Sequence, residues 1–104
     1  MNRADEPLAS IQFAAEIIIW RGPAPYLFVP VPDEHIGEIR YASQLVSYGW
    51  GVIPVEARIG SVEFRTSLFP KDGSYLLPIK VAVQRAAGIG VGDTVDVAMR
   101  INSR

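Results

Sequence analysis

The clearest pattern in the chain is the alternation of apolar and polar side chains between Val52 and Phe69. Because side chains two residues apart point to the same face of a strand, this alternation predicts two strands, each with one apolar face. Gly60-Ser61 separates them, and a glycine in first place suits a two-residue type II′ turn. That turn sets the register of the two strands. On the inner face we expect four pairs: Ile59–Val62, Ala57–Phe64, Val55–Thr66 and Ile53–Leu68. On the outer face we expect two pairs of opposite charge: Arg58–Glu63 and Glu56–Arg65.

The same period of two predicts further strands on both sides of this hairpin. One runs from Ser10 to Trp20, with five side chains on one face: Ile11, Phe13, Ala15, Ile17 and Ile19. The segment "YLFVPVP" predicts a strand in which Pro30, lacking an N–H group, must lie at an edge or a strand end. The segments "SYLLP" (74–78) and "TVDVAMRI" (94–101) predict two more.

Two segments change to helical spacing. Residues 33–44 predict a short helix that Asp33 caps, with acidic side chains early in it, where the helix dipole favours them. Pro78 suits the first turn of a second helix of about ten residues, which Gly88 ends.

These elements predict a single domain over residues 1–104 that is mainly β. Six short strands with many turns favour a small barrel over an open sheet, since closure removes exposed edges, and the two short helices would cap its ends. We expect about residues 1–9, which are polar and contain a proline, to be flexible.

Composition excludes several classes of site. The chain has no cysteine and one histidine, His35, so we expect no disulfide, no metal site and no cofactor. No apolar run approaches the ~20 residues that span a bilayer, and the N-terminal residues lack the order of a signal peptide. The sequence therefore predicts a cytoplasmic protein without a membrane partner.

Charge is unevenly distributed along the chain. The net charge of −1 argues against nucleic acid as a partner, because such binding depends on many Lys and Arg contacts to phosphate. Residues 1–57 nevertheless hold three basic and seven acidic side chains, whereas residues 58–85 hold five basic and two acidic ones. A local positive patch could therefore form in the second half.

Five stretches of the sequence together resemble one known family. They are "FAAEI", "YLFVPVP", the Trp50-Gly51 pair, "TSLFPKDGSYLLPIK" and "GVGDTVDV". The family is the bacterial and archaeal one known as domain of unknown function nineteen hundred and five. The resemblance implies a six-stranded double-split β-barrel, or pseudo-barrel. It also shows one departure, since Gln84 stands where the family usually has an arginine.

A weaker resemblance concerns "YLLPIKVAVQRAAGIGVGDTVDVAM", which is similar to a unit of AbrB- and MazE-type DNA-binding proteins. Those proteins build a comparable barrel from two chains. This chain has about twice the length of that unit, so the resemblance implies that it completes its barrel alone, as a monomer.

The stretch "RTSLFPKDGSYLLPIK" holds the best candidates for ligand binding. Its "FPKDG" segment predicts a tight reversal with Pro70 in second place, and its Phe, Leu and Ile side chains are explained as barrel filling. The remaining side chains are Ser67, Lys71, Tyr75 and Lys80. Lys80 in the first turn of a helix is oddly placed for the dipole, and a cation beside exposed helix N–H groups predicts an anion site. The alternative is ordinary surface or stem packing.

Other polar and aromatic residues are explained more simply. Arg58 and Arg65 are expected in exposed cross-strand ion pairs, and His35 in a solvent-facing position of the first helix. The carboxylate pairs Asp33–Glu34 and Asp93–Asp96 are explained by capping, by a turn and by an outward strand position. Four aromatic side chains could line a ligand mouth or pack in the core or rim: Trp20, Tyr26, Tyr48 and Trp50.

No arrangement of these residues matches a known catalytic constellation. The sequence predicts a non-catalytic module that binds a small anion or a protein partner. The alternatives are a nucleic-acid-binding regulator, by analogy with the AbrB-type barrels, and an enzyme with no recognisable motif.

Overall fold

A computed structural model of the chain describes residues 7–20, 26–46 and 52–102. Within these ranges the chain forms seven strands and two α-helices, the first preceded by a 3-10 turn, Asp33–His35. The elements are β1 (Pro7–Glu16), β2 (Ile18–Trp20), β3 (Tyr26–Pro30), α1 (Ile36–Val46), β4 (Ile53–Ile59), β5 (Val62–Lys71), β6 (Ser74–Ile79), α2 (Val81–Ala87) and β7 (Thr94–Asn102).

All seven strands belong to one curled sheet, in the order β1-β7-β4-β5-β6-β3-β2. Each neighbouring pair is antiparallel. The mainly β class with two helices is therefore confirmed, but the described part of the chain has seven strands where six were predicted. The two outermost strands, β1 and β2, are consecutive in sequence.

The extra strand arises because the predicted strand 10–20 is interrupted at Ile17. β1 pairs with β7 up to Glu16 opposite Thr94, and β2 pairs with β3 from Ile18 opposite Phe28. Ile17 itself belongs to neither ladder. Its N–H donates to the carbonyl of Asp93 at 2.8 Å, and its carbonyl accepts from Gly92 N–H at 2.9 Å. The side chain is 1% exposed, so the chain changes partner strand at a buried, fully hydrogen-bonded residue.

The hairpin of β4 and β5 has the predicted register at every pair from Ile53↔Leu68 to Ile59↔Val62. Its turn is Gly60-Ser61, and Gly60 has a φ of +61° whereas Ser61 is not in the positive-φ region. A positive φ at the first turn residue alone is the requirement of type II′, and glycine meets it without strain.

The core lies on one face of the sheet, where alternate side chains of the strands meet. On β7, for example, Val95, Val97, Met99 and Ile101 are buried while the intervening positions are half-buried or exposed. Helix α1 contacts β1, β4 and β7 and contributes two fully buried side chains, Ile39 and Ala42. The helices cover the apolar face and leave the other face of the sheet open.

Helix α1 starts differently from the prediction. The chain turns into it through Pro32, which has extended backbone angles and no side-chain capping bond, and Asp33 already lies inside the 3-10 turn. The predicted cap by Asp33 is therefore wrong. Because Asp33 and Glu34 lie in the first turn, they still interact favourably with the helix dipole.

The reversal after β5 lies two residues later than predicted. Asp72 and Gly73 both have positive φ, 51° and 80°, which is the requirement of a type I′ turn, and Pro70 is a strand residue opposite Tyr75. β6 then continues through Pro78 to Ile79, so Pro78 is not the start of a helix. Both prolines are compatible with a strand because sheet pairing is incomplete around them. Leu68 is the last β5 residue paired to β4, and Pro78 is the penultimate residue of β6.

Helix α2 is consequently seven residues long, beginning at Val81 after Lys80 and ending as predicted at a left-handed Gly88. At the other end of the chain, Pro7 to Ala9, which fall within the segment predicted to be flexible, belong to β1, and Ala9 is buried. Residues 1–6 of that prediction lie outside the described residues. No helix within the described ranges is long and apolar enough to cross a membrane.

Truncation of Ile17 should cost much more stability than the same truncation two residues away. Ile17→Ala removes a side chain that is 1% exposed, and we expect a loss of about 2–5 kcal/mol in the free energy of unfolding. Ile19, which is 40% exposed, offers the matched control, and Ile19→Ala should cost about 1 kcal/mol or less. Urea unfolding of the two variants measures both values. Equal losses of unfolding free energy in the two variants would show that the buried junction at Ile17 contributes no more to stability than the exposed strand.

Candidate functional site

The open face of the sheet carries an unusual set of apolar side chains at the β2 edge. Because side chains alternate along each strand, Leu76 and Pro78 of β6 point away from Tyr75, Leu77 and Ile79, which are buried in the core. Register then determines which residues of neighbouring strands share that open face. Phe28 lies opposite Pro78, and Phe69 lies opposite Leu76.

These side chains line a groove of about 700 Å³, which we call the aromatic groove. Its lining residues come from β2, β3, β5, β6 and the residue after β6: Trp20, Tyr26, Phe28, Thr66, Ser67, Phe69, Pro70, Lys71, Leu76, Pro78 and Lys80. None of these eleven residues is acidic, and two are lysines. The groove is therefore apolar and locally positive in a chain whose net charge is −1.

The aromatic rings contact one another and remain accessible. The ring centroids of Tyr26 and Phe28 are 5.4 Å apart, and those of Phe28 and Phe69 are 6.5 Å apart with an edge-to-face angle of 87°. Trp20 and Phe69 are each 46% exposed. Aromatic rings exposed to this extent are available to a ligand, since much of their apolar surface is not buried in the core.

Lys71 reaches across the groove to Trp20. Its Nζ lies 3.8 Å from the centroid of the Trp20 ring, a cation–π contact. Lys71 is at the end of β5 and Trp20 at the end of β2, and strands β6 and β3 lie between them. Register places Lys71 level with Ser74 and Trp20 level with Tyr26, at the opposite end of β6. In a flat sheet the two residues would lie about 14 Å apart across the strands and about 20 Å apart along them, so the contact depends on the twist and curl of the sheet.

Lys80 lies at the Trp20 end of the same groove. Leu27 is opposite Ile79, and Tyr26 is opposite Trp20, so Lys80, the residue after Ile79, is level with Tyr26. The backbone of Lys80 is extended (φ −68°, ψ 156°), which keeps its side chain on the Pro78 face. The Lys71 ammonium group and the backbone of Lys80 therefore both lie toward the Trp20 end of the groove.

The structure brings three of the four predicted ligand-binding residues into this groove: Ser67, Lys71 and Lys80. Tyr75 is not one of them, because it occupies the opposite face of β6 and is 7% exposed in the core. The predicted basis of the site also changes. Lys80 precedes α2 instead of lying in its first turn, and α2 has seven residues, so the groove lysines, not a helix N-terminus, supply the positive charge.

Sequence reasoning missed Phe28 and Phe69, which form the floor of the groove. Phe69 was assigned to barrel filling, and that assignment is wrong, since the residue is 46% exposed. The signal was present in the hairpin register, because a register that places Leu68 inside places Phe69 outside. Trp20 and Tyr26, named as possible ligand contacts, do line the groove, whereas Tyr48 and Trp50 lie outside the described residues.

One family model, described as "Domain of unknown function (DUF1905)", matches residues 13–99 of the chain. The chain belongs to the DUF1905 family. No match was found among curated proteins.

The open face of the other half of this DUF1905 domain is polar instead of aromatic. Glu56 of β4 lies between Arg65 of β5 and Arg100 of β7, and it forms its ion pair with Arg100, at 2.9 Å. Asn102 Nδ2 donates to the second oxygen of the same carboxylate at 2.7 Å. The predicted register of Glu56 with Arg65 is confirmed, but the ion-pair partner of Glu56 comes from the other neighbouring strand.

The five basic residues of segment 58–85 are thus distributed over three places in the DUF1905 domain. Arg58 and Arg65 lie on the polar face among acidic side chains, Lys71 and Lys80 line the aromatic groove, and Arg85 is exposed on α2. This distribution does not produce the single basic patch that the sequence suggested.

Groups that could support metal or acid–base chemistry are dispersed. In the described ranges 7–20, 26–46 and 52–102, no three His, Cys, Asp or Glu side chains are placed to hold a metal ion. His35 is half-buried with its ring 6.1 Å from that of Phe13, so it is less solvent-facing than expected. Asp93 accepts a hydrogen bond from Gly90 N–H at 2.8 Å, as its predicted turn role implies.

The hydrogen bond from Arg100 should make Glu56 unusually acidic. This bond, aided by the positive charges of Arg100 and Arg65 and by Asn102, lowers the pKa of Glu56 from its usual 4.5, against a smaller opposing effect of desolvation. Because the folded-state pKa is lowered, the ionised carboxylate stabilises the fold above pH 4.5. That stability is lost as the pH falls through the lowered pKa.

Carboxyl-detected NMR titration should place the Glu56 pKa below 4.5 in the wild type and closer to it in Arg100→Ala. Arg58→Ala is the control, since Arg58 is not among the groups that shift this pKa. An unchanged Glu56 pKa in Arg100→Ala would show that the ion pair does not persist in solution.

Proposed function

We propose that the aromatic groove binds a small organic anion with an apolar body, and that the protein acts as a non-catalytic binding module. The observation that carries this proposal is that Lys71 and Lys80 both line an apolar groove whose described lining residues include no carboxylate. An anionic group held there would meet two cations, and the apolar body would lie on Phe28, Phe69 and Leu76.

The dimensions of the groove support a small ligand. Ligand pockets typically have volumes of about 300–1,000 Å³ with mostly apolar walls and a few polar groups that fix orientation. The aromatic groove has about 700 Å³, and its orienting groups would be the hydroxyl of Ser67 together with the two lysines. No step in the proposal requires a catalytic base, a metal or a cofactor.

The proposal includes a double-split barrel that is complete as a cytoplasmic monomer. Its support is the junction of the two outer strands, β1 and β2, which are joined end to end at Ile17. β1 also contacts β3, as expected if the sheet curls far enough for its two ends to approach each other.

Removing both groove lysines should weaken binding of 2-naphthoate, a probe with an apolar ring system and one carboxylate. We expect Lys71→Ala/Lys80→Ala to raise the Kd about three- to thirtyfold, because each exposed charge pair contributes up to about 1 kcal/mol. Isothermal titration calorimetry measures the Kd, and amide chemical shifts of the ¹⁵N-labelled protein locate the site.

The matched control for this experiment is Arg58→Ala/Arg85→Ala, which removes two exposed positive charges outside the groove. It should leave the Kd within about twofold of the wild type. An equal rise of the Kd in both double variants, or amide chemical-shift changes centred on the polar face, would contradict the proposal.

Duplex DNA should not bind in a salt-sensitive way. The basic residues of segment 58–85 do not form one continuous run, because Arg58 and Arg65 lie among the carboxylates of Glu56 and Glu63 and Arg85 lies on α2. A fluorescence anisotropy titration of a 20-base-pair duplex, first at about 50 mM and then at about 200 mM salt, tests this expectation. Micromolar binding that disappears at the higher salt concentration would instead favour the nucleic-acid alternative.

A further inference from the structure

The contact between Lys71 and Trp20 narrows the class of ligand, provided that the proposed function is right. We propose that the ligand is a planar aromatic anion, whose ring takes the place of the Lys71 ammonium on the face of Trp20 while Lys71 turns to the anionic group. Lys71 would thus be both a gate over the aromatic surface and the group that recognises the charge.

The geometry identifies the surface that Lys71 occupies. The Nζ atom stands 3.8 Å above the Trp20 ring, where a second flat ring would stack. Trp20 is nevertheless 46% exposed, so the core does not take up its aromatic surface. Within the described residues, the groove therefore contains an aromatic face on which the flexible Lys71 side chain lies.

The exchange is chemically balanced because each group gains a partner for the one it loses. Trp20 exchanges a cation for an aromatic ring, and Lys71 exchanges the electron-rich ring face for an anion. Lys80 at the same end supplies the second positive charge without covering Trp20, since the cation over that ring is Lys71. A flexible four-carbon stem lets Lys71 make this move without backbone change.

A neutral planar ring would gain nothing from Lys71 and would have to displace it. Such a ligand should bind the wild type weakly and should bind more tightly once Lys71 is removed. A planar anion should respond in the opposite direction, because it loses a charge partner. This opposite response is the signature that separates displacement of Lys71 from simple charge attraction.

The experiment compares 2-naphthoate with 2-naphthamide, which has the same ring system without the charge, on Lys71→Ala and Lys80→Ala. In Lys71→Ala we expect the naphthoate Kd to rise about two- to fivefold and the naphthamide Kd to fall about two- to fivefold. In Lys80→Ala, the matched control, naphthoate should weaken while naphthamide stays unchanged. The Kd values are obtained from the amide chemical shifts of residues that line the groove.

Planarity is tested with decahydro-2-naphthoate, which keeps the carboxylate and the carbon skeleton but has no flat ring. The wild type should prefer 2-naphthoate by about three- to tenfold. Trp20→Leu should remove that preference, whereas Trp20→Phe, which keeps a ring, should retain part of it. Circular dichroism shows whether each variant is folded, and the Phe variant keeps the test valid if the Leu variant is not.

The outcomes separate the two proposals. If naphthoate binding does not depend on either lysine, the proposed function is wrong. If naphthoate binding depends on both lysines, the groove binds anions. The inference about Trp20 is nevertheless overturned if the naphthamide Kd does not fall in Lys71→Ala, or if the saturated acid binds as tightly as the planar one.

Discussion

The structure depends on the buried junction at Ile17, where the chain leaves the ladder with β7 and joins the ladder with β3. A backbone that changes partners inside a protein risks unpaired N–H and C=O groups. Here the turn before β7 satisfies both, through Asp93 and Gly92, while the Ile17 side chain fills the core. The two edge strands of the sheet, β1 and β2, are therefore joined through the single residue Ile17, and the sheet must curl to bring its two edges together.

The curl determines what each part of the open face can do. Where β4 lies between β5 and β7, register places Glu56 directly opposite Arg100, with which it pairs, and the open face carries charges of both signs. At the β2 end, the last residues of β5 and β2 approach each other, and Lys71 contacts Trp20 across two intervening strands. The aromatic groove lies beneath that contact. A flat sheet of the same strands would leave these side chains too far apart to interact.

The candidate site was partly predictable because strand parity is a property of the sequence. Ser67 and Lys71 share a face of β5 in any register, so their placement together required no tertiary information. Tyr75 was misplaced because Pro78 is compatible with both a helix start and a strand end. Because the helix interpretation ended β6 early, Tyr75 and Lys80 were not placed on one extended segment. The opposite faces that their spacing implies were therefore not predicted. In the structure, five residues of separation along an extended chain place the two side chains on opposite faces.

The sequence by itself determined the hairpin of β4 and β5, its Gly60 turn and the alternation of β7. These are local consequences of a two-residue period and of the backbone freedom of glycine. Only the tertiary structure decided the break at Ile17, because residues 17–20 are all apolar and nothing local distinguishes Ile17 from Ile18 or Ile19. It also decided that Arg100 and not Arg65 pairs with Glu56, and that Lys71 lies over Trp20. Those contacts join residues far apart in sequence, and they follow from strand order and sheet twist, which side-chain periodicity does not specify.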